Sequence, residues 1–71
     1  MGNIEYTRHA QRQMKLRRIS REEVEEVLSN YHTFYTDRDG NAIYVGHPHG
    51  RRIKVVVKKG SEPPKVITAA N

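Results

Sequence analysis

The chain has 71 residues, 35% of them hydrophobic, and no cysteine. A chain this short forms one domain, 1–71, with a thin core and no room for an enclosed pocket beside it, and without thiols it has no disulfide frame, cysteine nucleophile or cysteine-type zinc site. Thirteen Lys and Arg against eight Asp and Glu give a net charge of +5, a balance that points to polyanionic partners, nucleic acid first.

Asn3 to Glu5 reads as a short extended lead-in. Tyr6, Ala10 and Met14 then recur at helical spacing, with Thr7 as N-cap and an end near Arg17. His9 lies on the shoulder of that stripe, beside Arg12 and above Leu16, at the seam between core and solvent. Ser20 and Glu23 form a capping box, Glu22 and Glu23 set negative charge at the positive end of a second helix, and Ile19 is placed as a staple against Val24. Val24, Val27, Leu28 and Tyr31 make its apolar stripe and Asn30 closes it.

Tyr31 to Thr36 is aromatic and β-branched and predicts a strand. Asp37 to Asn41 is a turn with Gly40 at a positive φ, Ala42 to Gly46 a return strand, and His47 to Gly50 the next turn. Arg51 to Lys59 follows, with Ile53, Val55 and Val57 on one face and Arg52, Lys54, Val56 and Lys58 on the other, pointing away from the helices. After the polar turn Lys59 to Pro64, Lys65 to Ala69 is the last strand, with Val66 and Thr68 on one face and Ile67 on the other. The expected fold is α+β, two N-terminal helices packed on a three- to four-stranded antiparallel meander.

Charge is segregated along this order. Acid gathers at Glu22, Glu23, Glu25 and Glu26, base at Arg8 to Arg18 and Arg51 to Lys59. Arg8, Lys15, Arg52, Lys54 and Lys58 are therefore candidate nucleic-acid contacts, with Tyr44 able to stack a base or offer a hydroxyl. An ordinary solvated strand face is the alternative for Arg51, Arg52, Lys54, Lys58 and Lys59, and the strongly basic first helix speaks against it. Of Tyr31, Phe34, Tyr35 and Tyr44, two or three are expected in the core. His47, His49 and His32 have chelating side chains, yet no carboxylate or cysteine stands near enough in sequence to complete a site, so a polar turn is expected, with no metal and no cofactor. The N-terminus carries no apolar signal region, and the longest strongly apolar run, Val55 to Val57, is too short to span a bilayer. A cytoplasmic protein with no membrane partner is the expectation.

Cutting RNA without a metal needs a base for the 2′-hydroxyl proton, an acid for the leaving oxygen and cations on the phosphate. His9 is the candidate base or acid, Arg12, Arg51 and Arg52 the phosphate clamps, Lys54 an added point charge and Thr68 a hydroxyl contact. A half-buried helix histidine bonded to the sheet is the alternative for His9.

Three stretches give the chain a likeness. HAQRQM, from His9 to Met14, is similar to a His-Ala-x-x-Arg helix; ISREEVEEVL, from Ile19 to Leu28, to an Ile-Ser-x-Glu-Glu-Val segment; GRRIKVVVKKG with KVITAA to a pair of closing strands. In this the chain resembles the RelE/ParE-like toxin superfamily, nearest to BrnT-like toxins and to a domain-of-unknown-function family of short bacterial proteins. The resemblance implies a compact α+β fold and a metal-independent endoribonuclease, RNA as substrate and a cognate antitoxin as partner. BrnT-like toxins follow their last strand with a basic tail that carries Arg and Tyr, a feature not expected in the residues up to Asn71. A non-catalytic relative that binds nucleic acid or protein is the alternative, and an exposed sheet edge would suit antitoxin strand addition or a homodimer.

Overall fold

The computed structural model describes residues 3–71; the first two residues of the expected 1–71 domain lie outside the described residues. Its elements run β1 (Glu5–Tyr6), α1 (Arg8–Arg17), α2 (Arg21–Ser29), β2 (Thr33–Thr36), β3 (Ala42–Gly46), β4 (Ile53–Val57) and β5 (Lys65–Ala70), with a 3₁₀ turn at Pro48–Gly50. Both helices start where the caps place them. The Thr7 hydroxyl accepts from the amide of Ala10, and Ser20 and Glu23 close a reciprocal capping box. At the end of α1, Arg18 is left-handed (φ 56°), its amide reaching back to Lys15 while that of Ile19 reaches Met14. This closure satisfies two of the four carbonyls a helix leaves open.

The sheet corrects the expectation of three or four antiparallel strands. It has five, in the order β1-β5-β4-β3-β2, and is mixed. From β2 to β5 it is the antiparallel meander the turns suggest, but β1 pairs with β5 in parallel. The bonds are from the amide of Glu5 to the carbonyl of Pro64 (2.8 Å) and from that of Thr7 to the carbonyl of Val66 (3.0 Å). Tyr6 thus ends a strand instead of starting the helical stripe, and packs half-buried on the core from there.

One core layer lies between helices and sheet. Ala10 and Met14 of α1, Ile19, and Val24 and Val27 of α2 meet Ile53, Val55 and Val57 of β4 and Val66 and Ala69 of β5. The alternation expected for β4 holds over Ile53–Val57, but the strand is shorter than Arg51 to Lys59: Arg52 and Lys58 lie beyond its ends, and Lys58 stands at a cleft with Leu28 of α2, not on the far face. The alternation expected for β5 does not hold, because the ladder slips: Val56 pairs with Thr68 while the next residue, Val57, pairs with Val66. Ile67 is the extra residue of a bulge, so Val66 and Ala69, not Val66 and Thr68, share the helix side. The far face, which neither helix covers, carries Ile43, Val45, Lys54, Val56, Thr68 and Ala70.

The aromatic residues differ from the expectation in the same region. Tyr31, Phe34 and Tyr35 are 46%, 50% and 45% exposed, and Tyr44 alone of the four packs against the core. β2 lies at the sheet's margin beyond the reach of α2, which packs over β3 and β4. All four of its residues are exposed and its outer edge pairs with no strand among the described residues.

Candidate nucleic-acid interface

A cleft of about 400 Å³ opens where the end of α2 meets the turns on either side of β3 and β4. Leu28, Ala42, Tyr44 and Val57 give it an apolar floor, and Lys58 and Lys59 stand at its rim with Gly40 and Ser61. Both turns are held rigidly. One carboxylate oxygen of Asp37 accepts from the amides of Asp39 and Asn41 (2.9 Å each), and the other accepts from the Asn41 side-chain amide (3.3 Å). Those bonds, the Asn41 amide first, hold the Asp37 carboxyl below its ordinary pKa. Asn41 Oδ1 in turn accepts from the amide of Lys59 (2.9 Å), tying the two turns together across the cleft. Gly40 has φ 87°, and a Cβ there would stand 2.9 Å from Cδ of Lys59, so the bare glycine lets the lysine stem lie against the turn.

On its floor Tyr44 is fixed by an aromatic set: its ring meets Tyr31 edge-on at 5.1 Å and Phe34, tilted, also at 5.1 Å. The Ser61 hydroxyl is fully used, donating to the carbonyl of Lys58 and accepting from the amide of Lys65. Lys58 and Lys59 are exposed and form no ion pair; the one such pair among the described residues is Glu5 with Lys65 at 4.0 Å. The chemistry on offer is therefore a flat apolar surface beside two free ammonium groups.

Tyr44 and Lys58 are thus brought to one cleft, together with Lys59. The other candidates are spread around the molecule. Lys54 lies on the uncovered sheet face and Arg52 is exposed just before β4. Arg8, Arg12 and Lys15 share the solvent side of α1, one helical stripe, with His9 exposed beside them. Thr68 is on the far sheet face, its hydroxyl bonded to the carbonyl of Ile67 (2.8 Å).

Arg51 has a different engagement. Its Nη2 donates to the carbonyls of Arg17 (2.9 Å) and Arg18 (3.1 Å) at the C-terminus of α1. A guanidinium there satisfies carbonyls that the helix leaves open and sits at the negative end of its dipole. No hydrogen bond or ion pair among the described residues joins His9, Arg12, Arg51 and Thr68 to one another.

Residues 6–70 match the family model described as a domain of unknown function, DUF4258. The match runs from the last residue of β1 to the end of β5 and so takes in both helices and the strands β2 to β5. The chain belongs to the DUF4258 family. No curated protein and no solved structure matches it. In this DUF4258 chain no helix among the described residues is long and apolar enough to cross a membrane.

Proposed function

We propose that this DUF4258 chain binds single-stranded RNA, taking an unpaired base on the Tyr44 floor and the adjoining phosphates on Lys58 and Lys59. The observation that carries this is the meeting of an immobilised aromatic ring and two unpaired lysines around one 400 Å³ cleft. Single-stranded RNA is read by stacking splayed bases on aromatic side chains, and its phosphates supply most of the affinity. Lys54, Arg52 and the stripe Arg8, Arg12 and Lys15 lie on other faces of the molecule and add to its overall positive field. The likeness to RelE/ParE-like toxins adds the same substrate class, and an antitoxin segment would have the free outer edge of β2 to add to.

The test is fluorescence anisotropy with a short mixed-sequence RNA over a range of salt. Replacing Lys58 and Lys59 together by alanine is expected to weaken binding and to lower the slope of log affinity against log salt by about 1.4, at about 0.7 per single-strand phosphate contact. Unchanged affinity and slope, from a variant shown to be folded, would remove the cleft from the interface.

Endoribonuclease activity is a second reading, favoured by His9 standing exposed and unbonded between Arg8 and Arg12 in the first turn of α1. Cleavage of the RNA in EDTA by the wild type and not by His9→Ala would add catalysis to binding. Binding with no cleavage, with or without ribosomes, leaves the chain a binding module.

A further inference from the structure

The segment that follows α2 and the end of β3 beside it carry an arrangement of opposite character. His32 lies between α2 and β2, His47 directly after β3, and the pairing of those strands brings the two exposed rings together. His32 Nε2 and His47 Nδ1 are 2.9 Å apart, the ring centroids 4.4 Å, and the planes meet at 27°. A straight in-plane N–H···N bond of that length would hold the centroids about 5.2 Å apart, so the two nitrogens are turned aside from the line between them.

Two nitrogens at this separation suit a shared ion. With metal–nitrogen bonds of about 2.05 Å they subtend about 90° at the metal and leave the ring centroids about 4.5 Å apart. The planes of the two rings differ by 27°, so the rings lie close to parallel. A tetrahedral zinc site would need the nitrogens about 3.3 Å apart. Right-angled imidazole pairs belong to square-planar and tetragonal centres, the geometry of Cu(II) and Ni(II).

A second observation concerns charge. Glu22 and Glu26, one turn apart on α2, line a cavity of about 480 Å³ together with His47, Pro48 and His49. In a chain of net charge +5, this places carboxylates beside the ring that a cation would bind. No group of three or more His, Cys, Asp or Glu among the described residues is set to hold a metal, so solvent or an added ligand would fill the remaining positions.

We infer that His32 and His47 form a two-imidazole site for a tetragonal divalent cation, Cu(II) or Ni(II), on the acidic side of the molecule. This is independent of RNA binding, since the site shares no residue with the lysine cleft. The experiment is titration of the chain with Cu(II), followed by electron paramagnetic resonance and isothermal calorimetry. The expected result is one tetragonal Cu(II) per chain with two imidazole nitrogens, and at least a tenfold loss of affinity in His32→Ala and in His47→Gln alike. His9→Ala is expected to bind as the wild type does. Full-strength binding by either His32→Ala or His47→Gln, each shown to be folded by circular dichroism, would overturn the site, as would a spectrum with a single nitrogen ligand.

Discussion

Arg51→Ala separates two roles for one side chain. The guanidinium donates two bonds to the last carbonyls of α1, at 2.9 and 3.1 Å, and its Nε is buried without a partner. A hydrogen bond from a charged group contributes about 1.5–3 kcal/mol, and a cation at a helix C-terminus about 0.3–1 kcal/mol. Both bonds share one nitrogen and solvent reaches the helix end, so we take the low end, about 1.5 kcal/mol for the whole interaction. For a domain of this size that lowers the melting temperature by about 6–12 °C. Arg51→Lys keeps the charge but cannot hold the same forked geometry, and is expected to lose about half as much. Thermal unfolding by circular dichroism reads both, with RNA affinity measured in parallel. If Arg51→Ala melts within about 2 °C of the wild type while RNA binding falls, the helix-capping account is refuted and Arg51 is a phosphate ligand.

Tyr6→Phe removes a buried hydroxyl that has no partner, and is expected to be neutral or to stabilise the fold by up to about 1 kcal/mol, read from urea denaturation. Burial first, and the charge of Glu25 second, hold the Tyr6 hydroxyl above its ordinary pKa, with Arg21 opposing. Its contribution is therefore complete below the ordinary tyrosine range and is lost as pH rises through it, so Tyr6→Phe should resist alkaline unfolding better than the wild type. Asp37 has the opposite sign: its depressed pKa stabilises the fold above the ordinary value of 3.8 and that stability fades as pH falls below it. Asp37→Asn should flatten the acid limb of a plot of melting temperature against pH, and an unchanged limb would refute the role given to its amide bonds. Gly40→Ala forces a side chain into φ 87° against the Lys59 stem; a cost of about 1 kcal/mol is expected, with weaker RNA binding as Lys59 shifts, read by melting and anisotropy.

The helices were legible in the sequence because their determinants are local. Thr7, Ser20 and Glu23 act within three residues, and the stripes Ala10–Met14 and Val24–Val27 repeat at the helical period. The meander was legible for a similar reason, since its three turns declare themselves through Asp37 with Gly40, through Gly50 and through Gly60. What escaped was set by partners distant in the chain. β1 is two residues long, too short for any period, and exists because β5 pairs with it from sixty residues away. The Ile67 bulge has no signal in KVITAA, because a period of two is indifferent to where one residue is added. Two or three of Tyr31, Phe34, Tyr35 and Tyr44 are expected in the core and only Tyr44 packs there, since composition records that a strand is apolar and not whether a helix reaches it.

The candidate site divides along the same line. Basic residue types were visible, and β4 was rightly given a buried face and a free one, but the destination of each cation depends on what the fold leaves unsatisfied. Arg51 stands where the closing turn of α1 still has carbonyls to offer, which neither GRRIKV nor the helix sequence states. Lys59 belongs to the cleft because Asn41 binds its amide and Gly40 leaves room for its stem, two facts about another turn. The histidines follow the same logic: their spacing in HPHG says little, and the pair that meets is His32 with His47, joined by strand pairing and not by that motif. α2 then separates the two chemistries, with Leu28 at the lysine cleft and Glu22 and Glu26 at the other cavity. Glu26 and Leu28 stand only about 3 Å apart along the helix, well inside the screening length in physiological salt. A polyanion at the cleft and a cation beside His47 carry opposite charges and can occupy one small domain without repelling one another.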